Sequence, residues 1–102
     1  MLATGESLRK ARKGVIRVKV SVDPRTGRIV EANITGDFFI YPEDTVWILE
    51  DSLKGSPVGE AKNVVLKVLE NVELKGSTTD DFVEAVLEAL SRAGVACETL
   101  LP

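Results

Sequence analysis

The sequence predicts an α+β fold: an antiparallel meander of two to three strands, followed by three helices packed on one face of it. Three observations carry this reading. Val15 to Val22 alternate apolar and polar residues at the period of a half-buried strand. A turn-forming stretch, Asp23-Pro24-Arg25-Thr26-Gly27, leads into a second run of similar character. Beyond Pro42 the apolar residues recur at three- and four-residue spacing, the period of a helix. With 102 residues the chain is long enough for one domain with a core of its own, and no internal repeat is visible.

In chain order, residues 1–12 hold few apolar groups and no period, so they are expected to form a flexible basic arm ahead of a single domain at 13–102. In the first strand Ile16, Val18, Val20 and Val22 face inward while Arg17 and Lys19 stand on the other face. The returning strand, 28–35, turns Ile29, Ala32 and Ile34 mostly one way, and Gly36 ends or bulges it. Phe38 to Tyr41 continue as a third, bent segment. Pro42 suits a first helical turn, and Glu43 and Asp44 suit the positive end of a helix dipole. That first helix shows Val46, Leu49 and Leu53 on one face, has Trp47 and Ile48 at its margins, and stops at Gly55. A second helix, from about 59 to 71, carries an Ala61, Val64, Val65, Val68, Leu69, Val72 stripe. Residues 73–77 are expected as a loop. Thr78 and Asp81 form a capping box for a third helix, which buries Phe82, Val83, Val86, Leu87 and Leu90 and ends at Gly94. The tail, Val95 to Pro102, is apolar enough to dock, and the sequence assigns it no place.

The chemistry open to this chain is narrow. It has no histidine and one cysteine, Cys97. That excludes the usual zinc sites, a four-thiolate iron–sulfur cluster and any Ser-His-Asp or Cys-His catalyst built by this chain alone. No glycine-rich phosphate-binding motif is present. No catalytic residue and no metal ligand is assigned, and a binding or accessory module is the expected class. A lone cysteine fits a reducing cytoplasm, and no segment reaches the roughly 18 apolar residues of a membrane helix. Cys97 itself reads as a small buried apolar residue.

Charge is uneven. Residues 1–28 hold eight Lys and Arg against Glu6 and Asp23, while the remainder is acidic and the net charge is −3. Arg12, Lys13, Arg17 and Lys19 are therefore candidates to meet phosphates or an anionic partner face; a solvated strand face is the equally simple alternative. Nucleic acid is not the expected partner, because the basic segment lacks interleaved aromatics and the body is acidic.

The whole chain is organised around residues 29–53. Within them, Gly36-Asp37-Phe38-Phe39 reads either as a strand exit with two core rings or as a recognition corner. Asp37 either caps backbone N–H groups or is presented to a partner. Tyr41 and Trp47 add aromatic surface of the kind interfaces favour.

Lys13-Gly14-Val15-Ile16-Arg17-Val18, the turn through Gly27, and Arg28-Ile29-Val30-Glu31-Ala32-Asn33-Ile34-Thr35-Gly36-Asp37-Phe38-Phe39 resemble the small C-terminal domain of lipoate–protein ligases. Pro42-Glu43-Asp44, Trp47, Leu49-Glu50, Leu53-Lys54-Gly55 and Thr78-Thr79-Asp80-Asp81-Phe82 extend the likeness over most of 13–93, and Gly-Asp-Phe-Phe is its most specific part. The resemblance implies a fold similar to the iron–sulfur scaffold and sulfur-acceptor proteins. It further implies a non-catalytic accessory subunit, paired as a heterodimer with a large catalytic subunit that binds ATP and lipoate and forms lipoyl-AMP. Lipoyl-acceptor domains are then indirect partners. Gly36, Asp37, Phe38, Phe39, Tyr41 and Trp47 are the expected partner contacts. The alternatives are a stand-alone binding or regulatory module with a basic arm, or a cysteine-poor relative of iron–sulfur scaffolds, against which the single cysteine argues.

Overall fold

In the computed structural model, which describes residues 2–94, the chain forms two small antiparallel sheets and three helices. The readings made for Cys97 and for the tail at 95–102 lie outside the described residues. Strand β2 (Gly14–Asp23) is the middle of the larger sheet, flanked by β1 (Ala3–Ala11) and β3 (Arg28–Asp37). Its inward side chains Ile16, Val18, Val20 and Val22 are buried, and Arg17 and Lys19 are exposed on the opposite face, as their alternation predicts.

The first strand is a correction. Residues 3–11, expected as a flexible arm, pair with β2 along their whole length, from Ala3 opposite Val22 to Ala11 opposite Gly14. The pattern hid this strand because its inward positions are Gly5, Ser7 and Arg9 rather than apolar residues. Helix α3 (Thr79–Arg92) crosses directly beneath. A Cβ on Gly5 would overlap the Ala89 carbonyl oxygen and come within 2.5 Å of Ala93 N, so only glycine lets the helix backbone approach this closely. Ser7 is buried and its hydroxyl donates to the Ala85 carbonyl at 2.6 Å. Arg9 reaches Asp81 at 2.9 Å. Hydrogen bonds and close backbone approach join this strand to its helix where a leucine-lined seam would do so elsewhere.

Asp81 also closes the capping box of α3: its backbone N–H donates to Thr78 Oγ1 at 3.2 Å, and its carboxylate accepts from the Thr78 backbone N–H at 2.9 Å. Burial pushes the Asp81 carboxyl upward. The hydrogen bonds from Arg9 and Thr78, with the Arg9 charge, outweigh that and hold it below its ordinary value of 3.8.

In β3 the inward residues Ile29 and Ala32 are three apart, which strict alternation forbids. A bulge supplies the extra residue: Val22 pairs with Ile29 and Ser21 with Glu31, so Val30 has no opposite number and lies exposed. The outer edge of β3 is covered. Ile29 N–H donates to Ser56 O, Gly55 N–H to Ile29 O, Val58 N–H to Gly27 O, and Ile34 N–H to Glu50 Oε2 at 2.7 Å. Backbone groups that would be orphaned at a sheet edge are thereby satisfied.

The second sheet pairs β4 (Phe39–Tyr41) with β5 (Glu73–Lys75), which lies where a loop is expected. Helix α1 (Thr45–Leu53) begins three residues after Pro42, so Pro42, Glu43 and Asp44 form the entry turn, with Asp44 at the N-cap. A single 3₁₀ turn, Val58–Glu60, leads into α2 (Ala61–Val68), shorter than its apolar stripe. Asn71 adopts a positive φ of 64° just past its end, which turns the chain out of the helical path into β5. All three helices contribute to one core with the larger sheet: Leu49 and Leu53 from α1, Ala61 and Val65 from α2, and Phe82, Val86 and Leu90 from α3. The helices cover one face of that sheet and leave the other exposed, in keeping with the α+β expectation. None of the described helices is long and apolar enough to cross a membrane.

Candidate functional site

The six residues singled out as partner contacts separate into two groups. Gly36 and Phe38 serve the fold. Gly36 has φ +136° and lies so close to the Val15 carbonyl oxygen that a Cβ there would overlap it. Phe38, between β3 and β4, turns inward and meets the buried Phe82 edge to face, with ring centroids 5.3 Å apart. Asp37, Phe39, Tyr41 and Trp47 face solvent. The Asp37 carboxylate accepts no hydrogen bond among the described residues, so it does not act as a cap.

Local structure explains the exposed group. In the short strand β4 only Ile40 is buried, opposite Leu74; Phe39 and Tyr41 point the other way. Phe39 is 45% exposed and Tyr41 60%. The Lys75 ammonium stands 5.3 Å from the centre of the Phe39 ring, within cation–π range. In α1 the core positions are Thr45, Leu49 and Leu53, an i, i+4, i+8 row. Trp47 and Ile48 are therefore rotated outward, 69% and 51% exposed, rather than lying at the margins of the buried face. Ile48, expected at the helix margin with Trp47, is the exposed neighbour that the expected contact set leaves out. The row Thr45-Leu49-Leu53 fits the helical period as well as Val46-Leu49-Leu53, and apolarity favours the second; only packing separates them.

The basic residues do not form one arm or one patch. Arg12 and Lys13 are the two-residue turn between β1 and β2, with the Lys13 backbone N–H donating to Gly76 O at 2.8 Å. Arg17 and Lys19 lie on the open sheet face, where Arg17 stands between Leu8 and Thr35, and Lys19 between Glu6 and Asn33. Arg9 is turned to the opposite side and bound to Asp81. No group of three or more Cys, Asp or Glu stands together to hold a metal ion among the described residues.

Three comparisons bear on these features. Residues 6–90 match the family described as bacterial lipoate protein ligase C-terminus. Lipoate-protein ligase A subunit 2 of Thermoplasma acidophilum is 37% identical over 78 residues, which cover 76% of this chain and 81% of that protein. A structure described as a bi-partite lipoate protein ligase and its E2 lipoyl domain, from the same organism, contains a chain that superposes with a TM-score of 0.78. It is 34% identical, and the match covers 84% of this chain and 97% of that one.

Proposed function

Because this chain belongs to the lipoate protein ligase C-terminus family, we propose that it is the non-catalytic small subunit of a two-chain ligase, needed for the ATP-dependent activation of lipoate. The observation that carries this reading is the likeness to a subunit 2, most of whose length this chain matches. The large catalytic subunit would hold ATP and lipoate, and this chain would bind neither. In the activation step the lipoate carboxylate attacks the α-phosphorus of ATP, pyrophosphate leaves, and lipoyl-AMP forms. A lysine amine of an acceptor domain then attacks the acyl carbon and releases AMP.

The small subunit acts on the first of these steps by conformational selection. If the large chain alone rarely visits its adenylating geometry, a partner that binds that geometry better raises its population by the ratio of the two affinities. No reactive group on the small subunit is required. The sequence supports this division of labour, since histidine is absent and there is only one cysteine. We place the pair in the cytoplasm, in line with that single cysteine. Asp37, Phe39, Tyr41 and Trp47 are the side chains of the expected contact set that remain available to the partner. Arg12 and Lys13 at the hairpin turn, with Arg17 and Lys19 on the open face, are further candidates to meet anionic groups of the partner or the phosphates it holds.

The test is a lipoate-dependent pyrophosphate-release assay on the large subunit with and without this chain. Adenylation is expected to rise at least tenfold when the small subunit is added, and the small subunit alone is expected to give none. Equal rates with and without it would end the proposal, as would turnover by this chain by itself.

A further inference from the structure

Building on the accessory-subunit reading, we infer that the corner formed by β4 and the first turn of α1 is the docking surface for the catalytic subunit, and that the partner presents there an apolar slot rimmed by Lys or Arg. Eight large apolar side chains are exposed among the described residues, and four of them, Phe39, Tyr41, Trp47 and Ile48, fall within ten consecutive positions. The fold makes no use of these four: Ile40 carries the burial of β4, and Thr45, Leu49 and Leu53 that of α1. Two aromatic rings on a strand and, one turn later, a tryptophan and an isoleucine on a helix give one ten-residue segment an apolar exposed surface. Such surfaces mark interaction sites on soluble proteins, and Tyr and Trp are enriched at their centres.

The rim selects the occupant. Glu43 and Asp44 fill the turn between Tyr41 and α1. Asp51 follows Trp47 by one helical turn on its exposed side, and Glu73 is the register partner of Tyr41. All four are exposed, and the salt bridges among the described residues involve only Asp81 and Glu88. The cation alongside, Lys75, stands over the Phe39 ring. A second copy of this chain is a poor match, because a two-fold contact would set each acidic rim against its own image. A hetero-partner with a cationic rim is favoured on both counts, contact and field.

The experiment is titration calorimetry of the full chain against the catalytic subunit. Trp47→Ala with Tyr41→Ala is expected to raise Kd at least tenfold with melting temperature unchanged, since both side chains lie outside the core. Asp44→Lys with Asp51→Lys is expected to weaken binding and to reduce its dependence on salt. Leu66→Ala, at an exposed apolar position on α2, serves as the control and keeps the original Kd. If the unmodified chain fails to bind the catalytic subunit, the accessory-subunit reading falls. If it binds and the folded corner variants bind equally well, only the docking surface is overturned. The docking surface is also overturned if the corner mediates self-association in sedimentation, or if its variants lose only lipoyl transfer to the acceptor domain.

Discussion

Asp81 illustrates how one side chain holds two parts of this fold at once. It completes the capping box of α3 and ties β1 to that helix through Arg9. Asp81→Ala removes the carboxylate half of the capping box and a part-buried ion pair, and the expected cost is about 1–2 kcal/mol at neutral pH. The pH dependence follows from the direction of the shift. A carboxyl held below its ordinary value of 3.8 contributes stability above that value and loses it as pH falls through the lower folded value. The gap between wild type and Asp81→Ala should therefore be constant from about pH 7 to 5 and narrow below about pH 4. Urea unfolding at stepped pH measures it; a gap that widens in acid would contradict the assignment. At this same scale the sequence is only partly legible. It places Phe38 and Phe39 side by side as equals, and only the burial of one against Phe82 separates core ring from surface ring.

Among the elements, β2 was readable because every second side chain is apolar, and α3 because its cap and its stripe agree. Strand β1 was not, since its inward row of Gly5, Ser7 and Arg9 meets a helix backbone through hydrogen bonds and glycine space. Period alone detects burial by apolar side chains, so a strand buried by other means escapes it. Strand β5 escaped for a different reason: three residues are too few to show a period. The consequence for β1 is direct. Removing residues 1–11 from a chain with a flexible arm would leave the melting transition intact. Here it is expected to abolish cooperative unfolding, because it uncovers one edge of β2 and the inner surface of α3 together. Circular dichroism of the truncated chain, with loss of the sigmoidal melt, is the check.

For the molecule as a whole, the layer arrangement was legible in advance, whereas the available surface was not. A one-faced sheet and three amphipathic stripes leave few ways to close a core, so α+β follows. Which apolar residues remain outside depends on the rotation of α1 and the turn at Pro42, and pattern does not set either. The core itself makes a global prediction. Ile16, Val18 and Val20 are fully buried on a strand paired along both edges. The amides of β2 that donate within the sheet are expected to exchange with deuterium only through complete unfolding, and so to report the full stability of the domain. Faster exchange there than in α1 would show that the sheet opens as a separate unit.

The seam between β1 and α3 joins the first described strand to the last described helix. The part of the sheet's apolar side that lies over β1 and β2 therefore stays open during synthesis until that helix has been made, even after α1 has packed on β3. Open apolar surface of that kind favours association, so a chain that stops short of Thr79 is expected to aggregate where the complete fold does not.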